Sequence, residues 1–414
     1  MIIAAAAATS SSTGPHGPNR PPLSFDWNDH LGRLNADEFR RRYRLTPVGF
    51  YELLTRLWPK LHRPQKRKGG KRRASPHVML AVALRFFSGG SVDDLKLIYG
   101  LRSRNTVYSL VWRAVDAINH TLTIHFPIRD TDWLREREAE FAACSSAPLA
   151  WRGQVGAVDG VHFAMQNPGT FVDDSLRYHV YRKDKYAMLC IAVCDAKLRF
   201  TYYDMSQIPT THDGLAWSCS PLGSQEKAGE LPAPYFFNGD SAFASTESMV
   251  TPSAGADDDF DFYQSSNRVC IERAFGVLVK RFPLLWRPLC VRFDRVAPLI
   301  AAIMRVHNFC IDQGIAEESV QSRTVVEIQP NRYRCSPYFD KNGSPVHYLD
   351  TDGHHDSDAT RDHRRKGSDP ATYTRAWLMR ELKAHGYTRP SNALRGLPRK
   401  VKGKKKKKKK PAAP

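Results

Sequence analysis

No run of about 18 apolar residues occurs anywhere in this 414-residue chain, so no membrane-spanning helix is expected. None of the cysteines (Cys144, Cys190, Cys194, Cys219, Cys270, Cys290, Cys310 and Cys335) stands in a CxxC pair, which argues against zinc ribbons and redox dithiols. In a chain of this size they read as reduced, mostly buried thiols. The Ala-rich start, residues 1–9, lacks a basic segment before it and runs into Ser, Pro and Gly as far as Pro22. It is expected to be a disordered leader, residues 1–38, rather than a secretory signal. No internal repeat is visible, so a repeat solenoid is not expected.

Acid is scarce where base is dense. Lys and Arg number 62 against 42 Asp and Glu, a net charge of +20, and the excess is concentrated. Residues 399–410 hold ten positive charges and no acid, and residues 41–73 hold twelve against the single acid Glu52. One such run is as readily a solvated face as a binding site; two in one chain point to a polyanion, because each phosphate neutralised releases counterions. The tail, residues 399–414, reads as a nuclear localisation signal or a non-specific DNA anchor, which places the protein in the nucleus, with the cytoplasm as the second location.

Three zones follow from the periodicity. In residues 39–125 apolar side chains recur at helical spacing, as in Phe50, Leu53, Leu54 and Leu57. Helices are predicted at 77–88, 91–99 and 103–122, with Ser91 and Ser103 as N-caps. The break before Ser103 resembles a helix-turn-helix, which would turn Arg102, Arg104, Asn105 and Arg113 towards DNA; a plain helical bundle gives the same pattern. Residues 147–314 carry β-rich runs at 155–158, 186–193, 198–203 and 234–238, with Ala196-Lys197 as a tight hairpin turn. Helices are predicted there at 267–282, ended by Pro283, and at 298–310. The extension 315–398 is polar, with one helix at 371–385. Its Asp350, Asp352, His354, His355, Asp356, Asp358 and His363 could be assembled into a metal site, but a solvated acidic loop is the better reading.

The chemistry is read from acids placed at the ends of the elements in the second zone: Asp159 after the first strand, Asp213 beyond the third, Asp240 closing the fourth, and Glu272 in a helix. Like charges crowded together raise one another's pKa, and divalent cations relieve that cost. Mg²⁺ takes oxygen ligands and leaves positions for water and phosphate, and two such ions can hold the attacking and leaving oxygens of a phosphodiester displacement. Each acid also has a plain reading: Asp-Gly is turn chemistry, Glu272 can pair with Arg268 or Arg273, His212 can cap a helix, and His162 can be a satisfied core histidine. Their order along one strand-rich unit carries the argument.

The segments AVDGVHFAM, KYAMLCIAVCD, LRFTYYDM, THDG, NGDSAF and NRVCIERAFGVLVKRFP resemble successive motifs of the DDE nucleases of PIF/Harbinger transposases and of host nucleases derived from them. The likeness spans residues 151–314, and more loosely the helical zone before them. It implies an α/β fold: an RNase H-like mixed sheet flanked by helices, preceded by a small all-α helix-turn-helix-like domain. It implies a catalytic triad of Asp159, Asp240 and Glu272, with Asp213 as a further metal-binding position and Mg²⁺, or Mn²⁺, as cofactor. Arg268, Arg273, Lys280 and Arg281 are candidates to contact phosphates. DNA, a Myb/SANT-like accessory protein and a second copy of the chain are the partners it suggests. The chain departs from the family pattern at Val161, where a small hydroxyl residue is usual, and at Pro209-Thr210, where Gly-Ser is usual. The alternatives are a domesticated DNA-binding protein without cleavage activity, and an RNA nuclease of the same fold.

Overall fold

The computed structural model describes residues 25–62, 74–315 and 372–390, together with a short ladder between Tyr338–Phe339 and Pro345–Val346. Residues 1–24 of the leader, part of the 41–73 basic block, the acidic loop with its seven metal candidates, and the lysine-rich tail lie outside these residues. Residues 25–38, expected to be disordered, are instead folded: Trp27–Gly32 is a helix, Ala36 opens a second, and Trp27 is buried in a stack on Phe50. Among the described residues no helix is long and apolar enough to cross a membrane.

Helices dominate the first third: α1 (Trp27–Gly32), α2 (Ala36–Tyr43), α3 (Pro47–Leu61), α4 (Pro76–Phe87), α5 (Val92–Ile98), α6 (Arg104–Thr121) and α7 (Thr131–Cys144). Ser91 and Ser103 cap α5 and α6 as the sequence predicts, their hydroxyls accepting from the backbone N–H groups of Asp94 and Thr106. Helices α1 to α6 have no core of their own. Phe39, Phe50, Leu84 and Val111 belong to one apolar cluster with Phe275 and Leu278, Ile300 and Ile303, and Ala157 and Val161 of the sheet. Asn119 donates to the Pro298 carbonyl at 2.9 Å, and Arg305 donates to Leu122 at 2.7 Å, tying α6 to the later helices. The helical region is thus built against the sheet rather than set apart as a small domain.

The sheet is mixed. Its strands are β1 (Gln154–Met165), β2 (His179–Val180), β3 (Lys185–Cys194), β4 (Phe200–Asp204), β5 (Phe236–Asn238) and β6 (Met249–Val250). β1 pairs antiparallel with β3, which pairs antiparallel with β2 and β4; β1 also pairs parallel with β5, and β5 parallel with β6. α8 (Asp213–Cys219) and α9 (Pro221–Lys227) connect β4 to β5. Helices α10 (Asp258–Arg281) and α11 (Phe293–Asp312) follow, and α12 (Tyr373–Ala384) packs its Leu378 and Leu382 against Phe236, Phe260 and Trp151. One face of the sheet is covered by α10, α11 and the N-terminal helices. The other meets α8, α9 and the segment carrying Phe126, Ile128 and Leu134.

Several expectations change. β1 does not end at Val158 but continues to Met165, because pairing with β3 persists from Ala157 to Met165 and holds Asp159 within the ladder. The hairpin loop is Ala196-Lys197-Leu198, one residue longer than read: Leu198 takes φ +68°, and the Asp195 carboxylate accepts from the N–H groups of Lys197 and Arg199. Helix α10 begins nine residues earlier than its apolar stripe suggests, at a cap made by Asp257. Cys190, Cys194, Cys270 and Cys310 are buried free thiols, but Cys144, Cys219 and Cys290 are exposed, so the expectation of mostly buried thiols is met only in part.

Behind the sheet, His307 is fully buried on α11, with Nε2 donating to the Leu198 carbonyl and Nδ1 facing the Arg281 guanidinium. Burial first, and Arg281 second, lower its pKa to about 3. An unfolded histidine takes up its proton near 6.5, so between 6.5 and 3 the unfolded chain binds a proton that the folded chain refuses. Stability is therefore expected to fall as pH drops through this window, by up to about 1.4 kcal/mol per unit from this group. Urea denaturation at pH 7.5, 6.5 and 5.5 checks it: the slope should flatten in His307→Gln, and an equal slope in both proteins would refute the assignment.

Candidate active site

The first pair of acids is placed by strand register. β1 and β5 run parallel, and their last rung joins Ala157 to Asn238, so Asp159 and Asp240 each lie two residues past it on adjacent chains. Asp159 shares its face of β1 with Ala157 and Val161, which pack in the cluster containing α10. The carboxylate therefore meets α10: its Oδ2 is 3.7 Å from Nη1 of Arg268, whose Nη2 pairs with Glu272 at 2.7 Å across one helical turn. Gly160 faces the other way, towards the start of α8.

That glycine has a specific reason. A Cβ at residue 160 would stand 2.6 Å from both Cγ and Oδ1 of Asp213, closer than real contacts allow. Its absence lets the Asp213 carboxylate lie against the strand backbone. Gly214 has a matching role: a Cβ there would meet the Ala242 carbonyl oxygen at 2.2 Å, so glycine lets α8 approach the loop after Asp240. Asp240 shapes that loop, its Oδ1 accepting from the N–H of Ala242 at 2.8 Å. Gly160→Ala is expected to destabilise the fold by about 1–3 kcal/mol through overpacking. A urea midpoint equal to that of the wild type would mean that the Asp213 carboxylate can simply move aside.

Asp159 feels the charges of the other three acids, and Asp213 that of Asp240. Burial pushes the Asp159 carboxyl up to about 8; Arg268 opposes the rise, and the charges of Asp240, Asp213 and Glu272 add to it. Burial raises Asp213 to about 6, with Asp240 adding to the shift and His212 and Lys183 opposing it. Asp240 acts on both, so it is the acid common to the two sides of the strand. Arg268 is held above its ordinary pKa, against burial, by Asp159, Glu272 and Asp240.

Behind the acids lies a buried amide network that no motif in the sequence announces. The Gln264 side-chain amide donates to Oδ1 of Asn238 at 2.8 Å and to the Gly239 carbonyl at 2.7 Å. Asn238 in turn donates to Gln154 and to the Gln264 carbonyl, while Trp151 donates to Gln154 at 2.6 Å. β1, β5 and α10 are thus locked together close to Asp159, Asp240 and Arg268. The only available signal was an amide, Asn238, ending an aromatic strand where an apolar residue would be ordinary.

The other candidates are spread more widely. Arg102, Arg104 and Asn105 are exposed at the start of α6, with Arg104 3.6 Å from Asp93. Arg113 is half-buried and donates to the Leu61 carbonyl at 3.1 Å. Arg273 is exposed beside Glu272, and Lys280 is half-buried two turns further along α10. Arg281 is only 2 % exposed and donates to the carbonyls of His307 and Ile315, which removes it from the phosphate-contacting set. His162 has its Nε2 2.8 Å from the Pro209 carbonyl, the satisfied histidine expected. His212 sits at the N-cap of α8 without a capping side-chain bond, contrary to the simple capping role.

Among the described residues no three His, Cys, Asp or Glu stand close enough together to hold a metal ion. The chemistry of the donors nevertheless suits a hard divalent cation, since all four are carboxylates. The charge at their centre is a guanidinium, whose Nη1 is buried without a hydrogen-bond partner. The cluster is one that already requires a cation.

A mixed sheet flanked by helices, with acids from β1, α8, the loop after β5 and α10 gathered beside it, is compatible with the fold of DDE nucleases. Residues 158–308 match the family model of the DDE superfamily endonucleases, a family that points to a transposase-like nuclease with DNA as substrate. The matched segment contains Asp159, Asp213, Asp240 and Glu272. No curated protein and no solved structure gave a significant match.

Proposed function

We propose that this chain is a metal-dependent DNA endonuclease of the PIF/Harbinger transposase type, with Asp159, Asp240 and Glu272 as its catalytic carboxylates and Asp213 as a supporting ligand. The observation that carries this reading is the placement of four acids, distant in sequence, around one strand: Asp159 and Asp240 by the β1–β5 register, Asp213 against Gly160, and Glu272 through Arg268, all inside the segment that matches the endonuclease family. The antiparallel β1–β3–β4 unit with β5 parallel to β1 supports an RNase H-like core.

Bound Mg²⁺ or Mn²⁺ would supply Lewis-acid activation of water and stabilisation of the leaving 3′-oxygen. The protein's part is to present carboxylates from β1, from the loop after β5 and from α10, Asp159 giving up its proton as the cation offsets its burial, with their spacing fixed by the Asn238–Gln264 amide lock. Arg268 and Arg273 supply positive charge beside Glu272 for phosphate oxygens, and Lys280 continues that charge along α10. Arg102, Arg104, Asn105 and Arg113 belong to the proposed helix-turn-helix-like contact with duplex DNA. Nuclear residence through residues 399–414, a Myb/SANT-like accessory protein and self-association are further parts of this proposal. One observation favours a DNA-binding protein without cleavage as the second reading: Arg268 already bridges Asp159 and Glu272.

The test is the chemistry of the cut ends. Labelled duplex DNA incubated with the full chain and Mg²⁺ should yield products with 3′-hydroxyl ends that a polymerase extends. Cutting that persists in EDTA, or ends carrying a 3′-phosphate, would contradict the proposal.

A further inference from the structure

Building on the nuclease reading above, we infer that Arg268 is an internal counter-cation that occupies the carboxylate cluster and competes with the divalent ion for it. The Arg268 side chain is 11 % exposed and lies between Asp159 and Glu272, so its charge cannot be dispersed into water. Nη2 pairs with Glu272 at 2.7 Å, but Nη1 stands 3.7 Å from Asp159, an ion-pair distance too long for a hydrogen bond, and has no hydrogen-bond partner. A guanidinium whose forked donors are only partly used in a buried site is there chiefly for its charge. Asp240 contributes to holding that charge in place.

A divalent ion among Asp159, Asp240 and Glu272 would have to share this space with a unit positive charge. Repulsion between like charges at such separations far exceeds thermal energy wherever water is largely excluded. The two cations therefore exclude each other: the acids are bridged by Arg268 or by the metal. This accounts for carboxylates that stand around one strand and share Arg268 yet do not converge into a ligand set. It also gives the site an order of events. An anion that draws Arg268 away, such as a DNA phosphate, raises metal affinity, and by reciprocity the metal raises affinity for that anion.

Metal binding can be read without any activity, from the shift in melting temperature of the full-length protein on titration with Mn²⁺. Arg268→Met, similar in length but uncharged, is expected to bind Mn²⁺ about tenfold more tightly than the wild type and to melt lower without metal. Arg268→Lys keeps the charge without the fork and should fall between the two. Asp240→Asn should abolish the response and so locate it. Affinity unchanged or weaker in both Arg268 variants would overturn the inference, as would a response that survives Asp240→Asn. If Arg268→Met does not fold, Arg268→Lys decides by the same criterion. No Mn²⁺ response in the wild type or any variant would overturn the nuclease reading and this inference with it, a pattern distinct from equal affinities throughout.

Discussion

Asp240→Asn is expected to lower metal-dependent DNA cleavage by about 10³-fold or more, while the protein remains folded. Asp240 is the acid that acts on both Asp159 and Asp213, and it lies beside Asp159 through the parallel register of β1 and β5. Asparagine keeps the side-chain oxygen that accepts from the N–H of Ala242, so the loop should survive while the charge is lost. Single-turnover cleavage, with circular dichroism as the control for folding, measures the effect. A loss of less than about tenfold would show that Asp240 shapes a turn and does little else, the plain reading of an Asp in that loop.

The second large effect falls on stability. Gln264→Leu is expected to cost about 2–6 kcal/mol, because it leaves the Gly239 carbonyl and the Asn238 carboxamide oxygen buried without their donor, at about 1–3 kcal/mol each. Urea denaturation with an unchanged slope against denaturant reads this directly. A cost below about 0.5 kcal/mol would mean that the amide lock does not fix α10 against β5. Gly239 immediately precedes Asp240, so the same variant should also weaken cleavage by loosening the acid that the loop presents.

The sequence carries the elements better than their meeting points. Ser91 and Ser103 announced α5 and α6, and Pro283 the end of α10, because caps and breakers act on their own neighbours. The apolar runs mark β1, β3 and β4, whose burial is local, but they place the end of β1 before Asp159, because an acid and a glycine look like a turn. Only pairing with β3, a long-range fact, keeps them in the strand. The acids were legible as a set through their order and their resemblance to known motifs. Their geometry was not: that Gly160 admits Asp213, and that Gly214 admits the Asp240 loop, depends on close approaches that spacing does not encode. Arg268 was visible as a helix salt bridge with Glu272, yet its contact with Asp159 needed the fold. Arg281 looked like another basic residue on the same helix, and only burial shows it bound to carbonyls.

The most direct test of the acidic nuclease site pairs the wild type with Glu272→Gln on labelled duplex DNA, each with Mg²⁺, with Mn²⁺ and with EDTA. Nicking by the wild type that needs metal and disappears in Glu272→Gln is the expected result. Equal nicking by both proteins, or DNA binding with no cleavage by the wild type under any metal, would contradict it.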